Sequence, residues 1–439
     1  MEEDFHMLTD GRVDVIGDIR KFDDILGKII KYFGKEWLES TGDHPLKLLW
    51  KRHDALSSLE LSIFGDCIVQ SEKLDEYRTT VFVEKIKDSD TKGIRGNVYE
   101  VIAGAAFQNP EHHTVEFAPL GQEAYDLVIN LNCGKKINLS VKNLGIDRCD
   151  EFTSKSREVE SIIQSNIKSG FLTNISIFKD KTTAMLYPDI PDWGNLKTEL
   201  PHILELDSTK TERNGWTIFK SETGRYVEPF SEMGIEGQPH NSRASYLLTL
   251  FAPLHRNDPQ NFIDKLEISK FEEFPESDTS LNAIFVHVPI EINLNTCENK
   301  IKEYMDFEEN QNLPVSIFIL YQPTVINLDE NNIALAHCYK FVLRTERMHE
   351  LEFGTADLRC KFILGIPKVG SAPICIAGIT ETEDTDYYFY SSGHVYLHQV
   401  GEKIYRKYFN GNLVETIRDA GNEYRFTYPF PSSDKLILL

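Results

Sequence analysis

The chain has 439 residues, carries a net charge of −22 and is 41% hydrophobic. This length favours two or three domains, and the composition is that of an ordinary globular protein. A chain this negative is not expected to bind nucleic acid over its whole surface. Residues 91–200 are nearly balanced in charge, however, so the sequence is compatible with phosphate binding at one local site.

The sequence lacks the marks of several protein classes. No stretch approaches the length of an apolar membrane span, and the acidic start, Met-Glu-Glu-Asp, does not resemble a signal peptide. The cysteines form no Cys-x-x-Cys pair, which favours reduced thiols in the cytoplasm and disfavours a structural zinc site. The sequence has no phosphate-binding Gly-Lys-Ser/Thr loop, dinucleotide fingerprint or Gly-x-Ser-x-Gly elbow.

Residues 1–90 are predicted to form an N-terminal helical segment. Apolar side chains recur at helical spacing in residues 22–33, 56–69 and 74–86. Pro45 is suited to the first turn of a further helix. This segment is expected to pack against the rest of the chain or to form a dimer contact.

The next predicted helix, residues 98–107, is apolar nearly all round and carries one acid, Glu100. A carboxylate in such surroundings is costly unless it is paired or bound to a metal ion. Two interpretations follow. Glu100 either forms an ion pair with Arg95, about one helical turn earlier, or serves as a metal ligand.

A β-hairpin is predicted after this helix. Apolar side chains occupy the odd-numbered positions of residues 127–131 and 137–141. The short turn between them contains Gly134, which favours an antiparallel hairpin. Because a hairpin buries one face, the odd-numbered residues of both strands are expected on the same side.

The even-numbered face of this hairpin collects Asp126, Ser140 and Lys142. If the turn is centred near Gly134, Asp126 lies directly across from Lys142 or close to it, with Cβ atoms about 5 Å apart. Such residues are also common at solvated strand ends. Together with Glu100 they would instead form a site for a hard divalent cation, Mg²⁺ or Mn²⁺, since such ions prefer carboxylate oxygens.

This arrangement resembles the PD-(D/E)xK, or restriction-endonuclease-like, nuclease superfamily. The core of that superfamily has a helix with a glutamate, a strand with an aspartate and a strand that ends in acid-x-Lys. Glu100, Asp126 and Lys142 match these positions, and the resemblance covers roughly residues 91–190. It implies an α/β (α+β) fold with a restriction-endonuclease-like mixed sheet core flanked by helices, and metal-dependent cleavage of phosphodiester bonds.

The chain departs from the family where Ser140 replaces the acid of the acid-x-Lys motif. Some restriction enzymes of the superfamily also carry Ser-x-Lys, with the glutamate moved to the following helix. That helix is expected here at residues 151–169, so Glu158, or else Glu151, is the candidate third metal ligand. Gln164 also resembles a glutamine often seen on that helix.

The resemblance therefore implies a catalytic set of five residues. Asp126, Glu100 and Glu158 would bind Mg²⁺ or Mn²⁺, Lys142 would act on the attacking water, and Ser140 would donate a hydrogen bond nearby.

The remainder of the chain is predicted to form a third segment. The expected organisation is an N-terminal helical segment (1–90), a nuclease-like core (91–200) and a C-terminal, β-rich α+β domain for recognition or partner binding (201–439). Within the last segment we predict helices at 242–251, 262–274 and 295–306, strands at 281–292 and 313–328, and a β meander at 386–430. The helix at 295–306 is expected to connect two strands as a crossover.

These features predict a metal-dependent endonuclease that cleaves DNA, with restriction or anti-phage defence as the role that the family suggests. RNA is an alternative substrate, because the metal site does not distinguish the sugar. A homodimer or a partner protein is expected, since cleavage of both strands is easiest with two active sites, and no membrane contact is expected. Two rival interpretations remain: a catalytically inactive nuclease-fold module that binds nucleic acid, and a partner-binding scaffold.

Overall fold

A computed structural model of the protein describes residues 19–52, 55–88, 91–108, 113–119, 121, 124–145, 147–167, 171–179, 193–206, 208, 210–224, 245–251, 262–290, 292–307, 313–327, 332–353, 368–369, 372–378, 382–391, 395–409, 412–419, 422–429 and 436–439. The chain forms two compact units. The first consists of Met1–Gly145, Arg256–Ile379 and Pro431–Leu439, and the second of Ile146–His255 and Thr380–Phe430.

Helices and strands are numbered along the described chain. The helices are α1 Ile19–Phe33, α2 Lys35–Glu39, α3 Pro45–Lys51, α4 Ala55–Leu74, α5 Glu76–Asp88, α6 Thr91–Ala106, α7 Asp147–Asn166, α8 Trp193–Glu205, α9 Leu294–Asp306 and α10 Thr345–Glu350. The strands are β1 His113–Phe117, β2 Leu127–Leu131, β3 Lys136–Asn143, β4 Phe171–Lys179, β5 Lys210–Arg213, β6 Trp216–Gly224, β7 Ser245–Phe251, β8 Ser280–His287, β9 Ile317–Asn327, β10 Asn332–Leu343, β11 Lys368–Val369, β12 Ala372–Gly378, β13 Thr382–Ser391, β14 Val395–Phe409, β15 Asn412–Asp419 and β16 Asn422–Pro429.

The described part of residues 1–90 is helical, as the apolar spacing predicts. Pro45 stands in the first turn of α3, where its missing N–H costs nothing, and the His44 ring accepts a hydrogen bond from the Leu46 N–H (3.2 Å). Helix α6 is buried on most sides and contacts β3. The helix that carries Glu100 therefore packs against the hairpin.

The sheet of the first unit has the strand order β1-β2-β3-β8-β9-β10-β12-β11. Strands β3, β8 and β9 run parallel to one another, and the other pairs are antiparallel. Helix α9 connects β8 to β9, so the predicted crossover helix is confirmed. The sheet is mixed and helices flank it, so the predicted α+β class is confirmed.

The β2–β3 hairpin is antiparallel and brings odd-numbered residues face to face, as predicted. Its register differs from the expected one by two residues, because Leu127 pairs with Leu139 and Asp126 therefore lies opposite Ser140 rather than Lys142. The Leu131 N–H donates to the Lys135 carbonyl (2.8 Å), which leaves a three-residue loop ending in Gly134. Gly134 has φ 84°, the left-handed conformation that such loops require.

Residues 137–140 of β3 are buried, and β8 pairs with this strand along the edge away from β2. Asn138 and Asn282 are opposite each other in this pairing, and Asn138 Nδ2 donates to Asn282 Oδ1 (2.9 Å). Asn282 Nδ2 in turn donates to the carbonyls of Phe274 and Pro314, each at 2.7 Å. The side-chain amides thus connect the hairpin to a part of the chain more than a hundred residues later.

Two of the helix predictions for the C-terminal segment, at residues 242–251 and 262–274, are wrong. The described part of residues 242–251 is the strand β7, which pairs with β4 and β14 and buries Tyr246, Leu248 and Leu250 at alternate positions. Residues 262–274 form two short 3₁₀ helices, Asp264–Leu266 and Ile268–Phe271, instead of one α-helix. Pairing on both edges overrides the helix propensity of leucine in the first case.

The sheet of the second unit has the order β16-β15-β14-β7-β4-β6-β5, with β13 also paired to β14. Strands β13 to β16 form the antiparallel meander predicted for residues 386–430. Glu160 of α7 is buried in this unit, and it accepts hydrogen bonds from the hydroxyl groups of Tyr246 and Tyr396. His398 also contacts Glu160, with Nδ1 2.6 Å from Oε1.

The two units do not follow the predicted segments 1–90, 91–200 and 201–439. Helix α7 and strand β4 lie within residues 91–200, the predicted nuclease-like core, but belong to the second unit. The neighbour of β3 is instead β8, which begins at Ser280. The sequence also predicts a short strand at residues 183–187, and these residues lie outside the described ranges.

No helix in the described part of the chain is both long and apolar enough to cross a membrane. Four cysteines whose side chains are described, Cys67, Cys133, Cys297 and Cys338, are free thiols.

Candidate functional site

Asp126 is held in place by β3 through its backbone and its side chain. It precedes β2, and its N–H donates to the Leu139 carbonyl (2.9 Å). Its carboxylate Oδ2 accepts a hydrogen bond from the Val141 N–H (2.6 Å) and lies 3.4 Å from Ser140 Oγ. The carboxylate is therefore fixed at the hairpin end, and Ser140 contacts it as predicted.

Glu100 and Asp126 form a pair of partly buried carboxylates. Burial raises the pKa of both groups, and the negative charge of Asp126 raises the pKa of Glu100 further. Because like charges disfavour each other's charged form, a bound proton or cation would relieve the repulsion between these carboxylates. Among the described residues Glu100 forms no ion pair, and Arg95 donates instead to the Ile437 carbonyl (3.5 Å).

Lys142 lies close enough to lower the pKa of both carboxylates through its charge. Its Nζ is nevertheless bound to a third acid, Glu267, which stands between the two 3₁₀ helices. Glu267 also pairs with Lys270 (2.7 Å). Because Glu267 is separated from Lys142 by 125 positions, no local pattern in the sequence indicates this contact.

The backbone of Glu267 is in the left-handed conformation, with φ 52°. Residues other than glycine, asparagine and aspartate seldom adopt it, and it costs about 1 to 2 kcal/mol. The buried side chains of Leu266 and Ile268 fix the chain on either side. Strain of this kind is often retained where a side chain must be held at a functional position.

Further basic side chains surround the two carboxylates. The charges of Lys85 and Arg78, both on α5, lower the pKa of Glu100, and the charge of Lys270 lowers the pKa of Asp126. Lys85 is exposed and lies over the Phe82 ring, 5.7 Å from its centroid. Several positive charges thus act on the acid pair within a protein of net charge −22.

The other predicted ligands lie in the second unit. Glu158 pairs with Lys155 (2.8 Å) and Lys197 (2.5 Å), and these hydrogen bonds lower its pKa to about 2. Glu151 is exposed on the same helix, α7. Gln164 Nε2 donates a hydrogen bond to the Tyr246 hydroxyl (2.7 Å). This contact within the second unit accounts for the orientation of the Gln164 side chain.

A divalent cation would find two carboxylates here rather than three. Within the described ranges, no group of three or more His, Cys, Asp or Glu side chains could hold a metal ion. Mg²⁺ is commonly bound by one or two carboxylates, with water and substrate phosphate completing its shell. Glu100 and Asp126 fit that donor set, and they are the residues that would hold the ion.

The chain was compared with protein-family models, with curated proteins and with solved structures. No match was found in any of these comparisons.

The residues that the structure brings together are therefore Glu100, Asp126, Ser140 and Lys142, with Glu267 as the member that sequence reasoning missed. We call these five residues the acid–lysine cluster.

Proposed function

We propose that the protein is a metal-dependent nuclease whose active site is the acid–lysine cluster. The observation that carries this proposal is a pair of partly buried carboxylates, Glu100 on a helix that contacts β3 and Asp126 hydrogen-bonded to β3 one residue before Lys142. The Lys142 charge lowers the pKa of both carboxylates. Burial of two like charges is costly, and a divalent cation is the partner that offsets it best. The resemblance of the same helix and strands to the PD-(D/E)xK superfamily points the same way.

The chemistry divides between the cation and the side chains. When bound, a divalent cation supplies charge that polarises a phosphoryl oxygen and acidifies water. Asp126, oriented by the Val141 N–H, and Glu100 hold and position that ion. The Lys142 ammonium stabilises the negative charge that develops on the phosphate in the transition state, and the Ser140 hydroxyl supports Asp126.

Nucleic acid is the proposed substrate because several positive charges act on the acid pair. The charges of Arg78, Lys85 and Lys270 lower the pKa of Glu100 or Asp126, and positive charge at this end of the hairpin would attract the phosphates of a nucleic acid. DNA is the first candidate, RNA the alternative, and restriction or anti-phage defence is the proposed role. A homodimer or a complex with a partner protein would supply the second active site that cleavage of both strands favours.

A specific observation supports a second candidate, a nucleic-acid-binding module without catalysis. Ser140 stands where the resembling family has an acid, and the described residues include no three-ligand metal group. Such a module would bind nucleic acid in the absence of metal and would cleave nothing.

The test is cleavage of supercoiled plasmid by the full-length protein with Mg²⁺ or Mn²⁺. We expect Asp126→Asn and Lys142→Met each to reduce the rate of nicking by at least about a hundredfold, a typical loss when a preorganised charge is removed from an active site. Lys136→Met is the matched control, because Lys136 lies on the same strand and is exposed at the turn. It should leave the rate unchanged.

The variants must keep the circular dichroism and melting temperature of the wild type. Cleavage that survives in both Asp126→Asn and Lys142→Met would reject this active site. Absence of cleavage together with metal-independent binding of the plasmid would favour the second candidate.

A further inference from the structure

The Lys142 ammonium could form an ion pair either with the acid pair, Glu100 and Asp126, or with Glu267, and it pairs with Glu267. Lys142 follows Ser140 and Val141 on β3, and both of these residues contact the Asp126 carboxylate. The Lys142 charge also lowers the pKa of Glu100 and of Asp126. In the described part of the chain, however, its ion pair is with Glu267, and neither Glu100 nor Asp126 forms one with it. The lysine is thus paired with Glu267 and not with either carboxylate of the acid pair.

The choice of partner matters because an ammonium group and a divalent cation compete for the same carboxylate oxygens. A lysine that paired with Asp126 would neutralise the charge that attracts the metal ion and would occupy one of its ligands. Glu267 gives the ammonium an alternative partner of equal charge.

Glu267 is well placed to retain the lysine. Its left-handed backbone lies between the buried side chains of Leu266 and Ile268, which limits its movement. Its carboxylate also holds Lys270, so two ammonium groups share one acid. The Lys142 side chain is 18% exposed and the Glu267 side chain 44%, so the ion pair lies at the edge of the cluster.

We propose that Glu267 is a positioning residue that holds Lys142 away from Glu100 and Asp126 and thereby keeps that acid pair available to a divalent cation. This inference rests on the proposed function of the cluster. It assigns Glu267 a role through Lys142, not as a metal ligand.

The experiment is a calorimetric titration of the full-length protein with Mn²⁺. We expect Glu267→Gln to weaken Mn²⁺ binding about tenfold, because the released ammonium then pairs with the acid pair at close range. We expect the double variant Glu267→Gln, Lys142→Met to recover the wild-type affinity, because the competing cation is gone. A purely structural role of Glu267 would not produce this recovery.

Glu272→Gln is the matched control, since Glu272 is an exposed acid of the same segment. The Mn²⁺ affinity of this variant should equal that of the wild type. Equal Mn²⁺ affinity of wild type and Glu267→Gln would overturn the inference and leave the proposed function standing. A weakened affinity that the double variant fails to recover would also overturn it, since Glu267 would then act without Lys142. A wild type that binds no Mn²⁺ would overturn the metal site and the inference together.

Discussion

Glu100 and Asp126 lie where burial opposes the charge that metal binding requires. Helix α6 carries Glu100 into an apolar environment, and the hairpin brings Asp126 beside it, so each carboxylate raises the cost of the other's charge. Carboxylates whose charged form is disfavoured in this way are typical of functional sites, because a bound cation lowers the cost of their charge. The metal-free protein should therefore be less stable than it would be with one of these charges removed.

We expect Glu100→Gln to stabilise the metal-free protein at pH 8 and to change its stability little at pH 4. The folded-state pKa of Glu100 is raised above its ordinary value of 4.5, so its contribution to stability is present below that value and is lost as the pH rises through the raised pKa. The gain at pH 8 should be about 1 kcal/mol or more, since one pKa unit corresponds to about 1.4 kcal/mol.

Urea denaturation in the presence of a chelator at the two pH values measures this gain. Glu116→Gln, which removes an exposed acid from β1, is the control and should show no comparable difference. A loss of stability in Glu100→Gln at pH 8 would mean that Glu100 is better satisfied than its burial indicates.

At the level of single elements, α4 shows the same conflict between burial and charge with a different solution. Glu60 is fully buried on this helix and accepts hydrogen bonds from the N–H groups of Ile437, Leu438 and Leu439 at 2.8 to 3.2 Å. Burial raises the pKa of Glu60 to about 7, although these N–H groups and Arg52 act in the opposite direction. One side chain thus fastens residues 437–439 to the first unit.

We expect the free energy of unfolding to fall by about 3 kcal/mol between pH 5 and pH 8 because of Glu60, since its folded pKa lies about 2.5 units above its ordinary value. The sign follows from the raised pKa, because the stabilisation is complete at low pH and is lost as the pH passes about 7. Glu60→Gln should remove this slope.

The measurement compares denaturation of wild type and Glu60→Gln at pH 5, 6, 7 and 8. Glu72→Gln is a matched control on the same helix, because Lys28 and Lys31 lower the pKa of Glu72 to about 2 and its effect falls below this pH range. If the free energy of unfolding of Glu60→Gln still falls between pH 5 and pH 8, other titrating groups cause the pH dependence.

On the scale of the whole molecule, the chain leaves the first unit after β3 and returns to it before β8. The candidate site therefore depends on both parts, since Glu100, Asp126 and Lys142 come from the first passage and Glu267 from the second. The sequence predicts that residues 91–200 form the nuclease-like core. Because β3 pairs with β8, which lies outside this segment, the segment is not expected to fold by itself.

We expect a fragment of residues 91–200 to be unfolded in solution. Without β8, one edge of β3 loses its backbone hydrogen bonds, and the buried Asn138 loses Asn282 as its partner. An unsatisfied buried amide alone costs about 1 to 3 kcal/mol, a large part of the stability of a small domain.

Circular dichroism and thermal denaturation of the fragment, with the full-length protein as control, test this expectation. A cooperative unfolding transition of the fragment would contradict it and would restore the predicted boundaries as those of a domain.

The sequence by itself determined the features that depend on neighbouring residues. Apolar spacing located the N-terminal helices, and the position of residues 295–306 between two apolar strands indicated the crossover helix. Alternation with a glycine turn placed Asp126, Ser140 and Lys142 on one hairpin face. These features are local, because side-chain periodicity and turn conformation are set within a few residues.

Only the tertiary structure decided which distant segments meet. The parallel pairing of β3 with β8 and the ion pair of Lys142 with Glu267 join segments more than a hundred positions apart, and β7 is a strand because β4 and β14 pair with it. The two-residue error in the hairpin register had a smaller cause, the exact length of the loop that ends at Gly134. Contacts between remote residues depend on the burial and hydrogen bonding of the whole chain, so no short stretch of sequence encodes them.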